Sequence, residues 1–240
     1  MDEVGESLLD NPFWHALVGP QRELAYGSGL ARRTEVIPGA ALERPDEAAF
    51  ADLDALSAPG DELLVLMRAP LPLPEGWVRE STVEFDQYVC PRLAAAPAVE
   101  ATLEATVEAT AEATWLGKDD LADMQELVEL TQPGPLFPGA MALGRSQGIY
   151  EDGRLVAMAG ERCHPPGYRE ISTVCTLPAC RGRGLASALT ARLASDILAS
   201  GETPFLHVAS GNEAAARVYR RLGFTVRARV TLSHLRKSGA

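Results

Sequence analysis

Leu185, Leu189, Leu193 and Ile197 recur every fourth residue, which predicts a helix with one buried stripe that Gly201 closes. Upstream, "GIY" and "RLVAMAGERC" flank a turn at Glu151-Asp152-Gly153-Arg154, and "HPPGY" makes a second turn before "REISTVCT". That pattern predicts an antiparallel meander. Downstream, strand "PFLHVA" is followed by Asn212 as helix cap, with Ala215, Val218, Tyr219 and Leu222 on one face and Gly223 at the end. Strand "FTVRARVTLSHLR" finishes the chain.

Ahead of the meander, Glu-Ala-Thr recurs four times between Glu100 and Thr114. Its even period alternates polar and apolar positions, so a linker becoming a strand by about Thr106 is expected. Asp119 then caps a helix carrying Leu121, Met124, Leu127 and Val128, which ends before the loop "TQPGPLFPG". From residue 106 onward the order is strand, helix, three strands, helix, strand, helix, strand. The first part reads as a helix over Phe13–Tyr26, strand "GLARRTEV", helix Glu47–Leu56, and strands "ELLVLMRA" and "WVRESTVEFDQYVC". The expected organisation is a smaller degenerate α/β lobe over 1–97, a linker over 98–105 and a second domain over 106–240. The fold class is α/β (α+β), with a mixed, largely antiparallel sheet flanked by helices.

Composition narrows the function classes. With 240 residues and 46% apolar content the chain can bury a proper core. No run of about 18 apolar residues occurs, and "MDEVGESLLD" is acidic where a signal peptide is basic, so a cytoplasmic protein is expected. A net charge of −11 argues against nucleic-acid or membrane partners. The charge is uneven: residues 214–240 hold six Arg, one Lys and no acid, which makes +7 there and −18 elsewhere. That basic tail is either a surface for a small polyanion or a solvated strand and helix face. Cys90, Cys163, Cys175 and Cys180 lack ligand spacing, so no metal site and no disulfide framework is expected.

The chemistry concentrates in "PACRGRGLASALT". Lying between a strand and a helix, it leaves the amides of Gly182 to Ala186 without helical acceptors, at the positive end of the helix dipole. Gly182, Gly184 and small Ala186 allow close backbone approach, and Arg181 and Arg183 can reach further phosphates. A Walker A loop would need Gly-Lys-Ser/Thr, and a dinucleotide loop a third glycine where Ser187 stands. Both fail on residues.

Arg181-Gly182-Arg183-Gly184-Leu185-Ala186 fits the Arg/Gln-x-x-Gly-x-Gly/Ala signature, and "ETPFLHVASGNEAAARVYRRLGF" follows at the expected distance. On these segments residues 106–237 resemble the GNAT superfamily of acetyl-CoA-dependent N-acetyltransferases. The wording "EISTVCTLPACRGRGLASALT" is similar to the branch with glycine N-acyltransferase-like C-terminal domains, and "NPFWHAL" more weakly resembles the half domain ahead of them. The resemblance implies acetyl-CoA as cosubstrate, held by Val174, Cys175, Thr176, the loop from Arg181 to Ala186, and Asn212. It implies a small-molecule amine or peptide acceptor. By position, Glu170 matches the strand glutamate used as base, with Glu161 as second choice, and Tyr219 matches the tyrosine near the thioester sulfur.

Residue chemistry bears on these roles. A lysine-like amine costs roughly 4 kcal/mol to deprotonate at neutral pH, so a base matters most for an alkylamine acceptor. Tyr219 is a weaker acid than a thiol, so hydrogen bonding to a developing thiolate describes it better than outright proton donation. Cys175 and His207 invite a covalent or histidine-base scheme, which is set aside because Cys175 has no nearby sequence partner. His15 is expected to be structural. A CoA-binding regulatory domain without turnover and transfer of longer acyl groups are the alternatives.

Overall fold

The computed structural model describes residues 8–94 and 113–239. The Glu-Ala-Thr repeats before Ala113 and the expected 98–105 linker lie outside these residues. The helices are α1 (Pro12–Leu17), α2 (Glu47–Ala55), α3 (Leu121–Thr131), α4 (Leu185–Ala199) and α5 (Glu213–Leu222). The strands are β1 (Ala25–Tyr26), β2 (Ala31–Thr34), β3 (Gly39–Leu42), β4 (Glu62–Met67), β5 (Trp77–Val89), β6 (Thr114–Leu116), β7 (Ser146–Glu151), β8 (Arg154–Glu161), β9 (Tyr168–Thr176), β10 (Thr203–Ala209) and β11 (Thr225–Lys237). Two compact units result, and they are discontinuous in sequence. One comprises residues 1–87, 163–167 and 227–240, the other residues 88–162 and 168–226. The boundaries expected at 97 and 106 do not coincide with them, because most of β11 belongs to the first unit.

In that first unit the strand order is β1-β2-β3-β4-β11-β5. β11 runs antiparallel to β4, with Thr231 opposite Met67 and Arg236 opposite Glu62. Asp46 caps α2 by accepting from the Ala49 amide at 2.9 Å, and Phe50, Leu53, Leu63, Val65, Trp77 and Leu235 form the core. The expected helix from Phe13 to Tyr26 stops at Leu17 and becomes a 3-10 turn over Arg22–Leu24 before β1. β3, alanine-rich and weak in strand propensity, carried no sequence signal.

The cations of the basic tail that lie on β11 are held in ion pairs. Arg227 meets Asp10 at 2.6 Å, Arg229 meets Asp86 at 3.4 Å, Arg236 meets Glu80 at 2.5 Å, and Lys237 meets Asp54 at 2.9 Å. These cations of β11 are therefore engaged with carboxylates of their own unit. A polyanion would have to displace those carboxylates.

The second unit orders its strands β10-β9-β8-β7-β6. β6/β7, β7/β8 and β8/β9 are antiparallel, while β9/β10 is parallel. Asp152 (φ 50°) and Gly153 (φ 76°) make the β7–β8 turn, two successive left-handed residues that suit the twist of a tight hairpin. The predicted stripe of α4 is fully realised: Leu185, Leu189, Leu193 and Ile197 are all buried. The cap before α3 differs from expectation. Residues Lys118–Asp120 form a 3-10 turn, and Asp120, not Asp119, turns its carboxylate back to the Gly117 amide at 2.7 Å. No helix among the described residues is long and apolar enough to cross a membrane.

Candidate active site

Two features of β9 shape the site. The first is a bulge: Met158 stands opposite Cys175 and Gly160 opposite Ser172, so Ala159 faces both Thr173 and Val174. Thr173 there takes φ 54°, a left-handed conformation that is costly for a β-branched residue. The second is a fork. The parallel pairing of β9 with β10 ends at Glu170 opposite Phe205, although β9 continues to Thr176 and β10 to Ala209. Val174, Cys175 and Thr176 thus line an arm of the sheet that β10 has left.

The arm leads into the glycine loop. Gly182 (φ 79°) and Gly184 (φ 81°) are both left-handed, and α4 begins immediately after Gly184. Among the described residues the amides of Gly182 to Ser187 meet no acceptor. A Cβ on Gly182 would meet nothing within 4 Å, so the loop opens outward there. Thr176 Oγ1 at the end of β9 is buried and has no partner among the described residues. Six outward amides with an orphaned hydroxyl beside them fit a polyphosphate carrying an amide-containing arm. Arg181 donates from Nε to the Thr176 carbonyl at 3.4 Å and is otherwise exposed. The Arg183 guanidinium forks onto Glu151 at 2.9 and 2.7 Å. Asn212 caps α5 by accepting from the Ala215 amide at 3.1 Å.

Tyr219 on α5 is buried, with its ring edge-on to Phe224 at 6.0 Å. Burial, with the nearby Cys175 thiol adding to it, pushes the Tyr219 hydroxyl well above the ordinary tyrosine range. Burial likewise pushes the Cys175 thiol up to about 11, so it is a packed thiol and not a ready nucleophile.

The two glutamates lie apart. Glu161 stands opposite Ile171, so it shares a sheet face with Ile171 and not with Glu170, one residue earlier on β9. Its buried carboxylate is clamped by Arg145 at 2.8 Å and Arg169 at 3.4 Å. Arg145 also feels Asp196, which lies about 16 Å along α4 from Leu185 at the standard helical rise. Glu161 is therefore at the far end of α4 from the loop.

Glu170 is fully buried and takes Arg162 in bidentate fashion, Nη2 at 2.5 Å and Nε at 2.9 Å, while His207 Nδ1 lies 2.8 Å from the same Oε1. Burial alone would raise its pKa, but Arg162 and His207 together outweigh burial and hold it at about 2. The two cationic partners thus favour the charged form of the carboxylate. Arg162 carried no motif. The turn at 163–167 does set Arg162 across from Glu170, where the Arg162 amide donates to the Glu170 carbonyl at 3.1 Å. Nothing local fixes a parallel strand, so the placing of His207 beside Glu170 was not legible in the sequence.

The second unit thus presents a mixed sheet with a forked edge that leads into an amide-rich loop at the start of α4. Residues 146–232 match the FR47-like protein family. A crystal structure from Novosphingobium aromaticivorans, described as a GNAT-family acetyltransferase, is 35% identical, covers 96% of this chain and 99% of that one, and superposes with a TM-score of 0.81. This chain belongs to the GNAT family of acetyltransferases. A GCN5-related N-acetyltransferase from Kribbella flavida shares the fold at 20% identity, with 90% of each chain covered and a TM-score of 0.54. Among curated proteins, the mycothiol acetyltransferase of Mycobacterium avium is 40% identical over 83 residues, which is 30% of this chain and 26% of that protein. That of Mycolicibacterium vanbaalenii is 38% identical over 82 residues, 32% of this chain and 27% of that protein. The chain thus matches about a quarter of the length of these curated relatives.

Proposed function

We propose that the protein transfers the acetyl group of acetyl-CoA to the amine of a small molecule, amino acid or peptide. The observation that carries this reading is the run of unpaired amides from Gly182 to Ser187 at the end of an arm that β10 has left. The amides and the α4 dipole bind the pyrophosphate, Arg181 supplies a mobile cation, and Val174 to Thr176 offer backbone groups and the orphaned Oγ1 to the pantetheine amides. The cosubstrate supplies an activated acetyl thioester. Tyr219 stands beside Cys175 at the fork, where its hydroxyl can donate a hydrogen bond to sulfur as charge develops on it. Glu161, clamped by two arginines at the far end of α4, is a scaffold residue.

Acetyl-CoA is expected to raise the melting temperature by about 5 °C at a hundred times its Kd, since that saturation contributes about 2.7 kcal/mol. NAD or ATP at equal concentration should do much less, and a larger shift with NAD would discard the cofactor assignment. Thiol release with a panel of amino acids, peptides and alkylamines then tests turnover. Binding without any turnover across the panel favours a regulatory CoA-binding domain.

Tyr219→Phe is expected to lower kcat about 10- to 100-fold while leaving acetyl-CoA affinity nearly intact, because the hydroxyl acts on charge present only during reaction. The ring packing on Phe224 survives the change. Steady-state kinetics with matched thermal shifts check this, and unaltered kcat would return Tyr219 to a packing role.

A further inference from the structure

We propose that the hydroxyls of Ser172 and Thr173 form the site that receives the acceptor's amino group. This rests on the acetyltransferase reading above. Three residues other than glycine have left-handed backbones among the described residues, Gln132, Asp152 and Thr173, and Thr173 is the β-branched one. Gln132 ends α3 and Asp152 makes the β7–β8 turn, places where such a backbone is ordinary. Thr173 instead lies inside β9, where glycine would take the same backbone without strain. What the strain produces is visible in the side chains. Neighbours along a strand point to opposite faces, but the turn at Thr173 brings its Oγ1 to 3.5 Å from Ser172 Oγ. The bulge thus makes a pair of hydroxyls, and glycine there would leave Ser172 alone.

The pair is reachable and has bonding capacity to spare. Ser172 and Thr173 are both half-buried, and neither hydroxyl meets another partner among the described residues. A hydroxyl accepts more hydrogen bonds than it donates, and a bond between the two uses one of each, so the pair is left chiefly an acceptor. That suits an N–H group and not a carboxylate or phosphate. Ser172 stands opposite Gly160, and a Cβ on Gly160 would meet Ser146 Oγ at 2.6 Å, so a third hydroxyl lies beside the glycine on the same face. Glu170, two residues before Ser172, is fully buried and taken up by Arg162 and His207. Of these three β9 side chains, only the hydroxyls are open to solvent. Chain order sets the pair against the thioester: with the pyrophosphate at the Gly182–Ser187 amides and the pantetheine along Val174 to Thr176, the acyl end runs back down β9 to Thr173 and Ser172. An amine held there lies next to the carbon it attacks.

Thr173→Val and Ser172→Ala test the pair in the full chain, each removing one hydroxyl. With a primary amine that turns over in the panel above, each is expected to raise the acceptor KM about 10-fold, the worth of one hydrogen bond, and to leave the acetyl-CoA thermal shift unchanged. Thr173→Gly relieves the left-handed backbone, so it should not lower the melting temperature, yet it should raise the acceptor KM as Thr173→Val does. That variant separates the hydroxyl from the fold. Wild-type kcat/KM in both Thr173→Val and Ser172→Ala overturns the proposal. So does a Thr173→Gly enzyme with the wild-type acceptor KM, and so does loss of the acetyl-CoA shift in Thr173→Val, which would put the hydroxyl on the cosubstrate. No turnover with any primary amine, in a wild type that acetyl-CoA stabilises, also overturns it. A wild type that acetyl-CoA does not stabilise overturns the acetyltransferase reading itself.

Discussion

Glu170→Ala is expected to lower the free energy of unfolding by about 3–5 kcal/mol at neutral pH, the range found when one partner of a buried ion pair is removed. The side chain is fully buried and engages both Arg162 and His207, so its loss strands a cation and a ring that were folded around it. The same carboxylate has a signature in pH. Its folded pKa of about 2 lies below the ordinary 4.5, so its contribution is complete above about pH 5 and is lost as pH falls through 4.5 toward 2. That gap corresponds to about 3 kcal/mol. Denaturant titrations at pH 7 and pH 3 should therefore find the wild type and Glu170→Ala far apart at the first and much closer at the second. A difference under about 1 kcal/mol at both values would show that the cluster contributes little to stability.

Gly182→Glu is expected to weaken acetyl-CoA binding about 30-fold while costing the apoprotein only about 1 kcal/mol. The structural cost is small because a Cβ at Gly182 meets no atom within 4 Å, which leaves mainly the left-handed backbone (φ 79°) as strain. The binding cost is large because a carboxylate enters the amide run that would receive the pyrophosphate. Unit charges at 4 Å repel by about 4 kcal/mol at an effective dielectric of 20, and partial exposure halves that figure roughly. Calorimetric titration at two salt concentrations checks both parts, since the penalty should shrink as salt rises. Gly182→Ala separates the terms by adding the strain without the charge. Equal losses for the two variants would mean that no phosphate approaches this loop.

The loop, the α4 stripe, the Asn212 cap and the Asp152-Gly153 hairpin were all legible because each is written within a few residues. A turn needs its left-handed pair, a cap its acceptor, a stripe its period. The resemblance to GNAT proteins added roles that local signals do not carry. Glu170 shows the limit. Its position implied a base, and the groups that set its charge lie just after β8 and on β10, brought in by an antiparallel and a parallel pairing. The Thr173 bulge was equally silent, since a register slip has no composition. The basic tail was ambiguous for the same reason: Arg227, Arg229, Arg236 and Lys237 find their carboxylates on Asp10, β5 and α2, far back in the chain.

The position of β11 constrains how the chain can be made. In the first unit it lies between β4 and β5, so the last of the described strands occupies an interior place in the sheet that β1 begins. During translation the second unit's meander and α4 emerge, and can pair locally, while β4 and β5 still await the strand that separates them. Until then β4 and β5 expose unpaired backbone groups, the kind of edge that recruits foreign strands. Loss of residues 227–237 would leave the second unit's own segments complete, and would leave the first unit with an unfilled gap between β4 and β5.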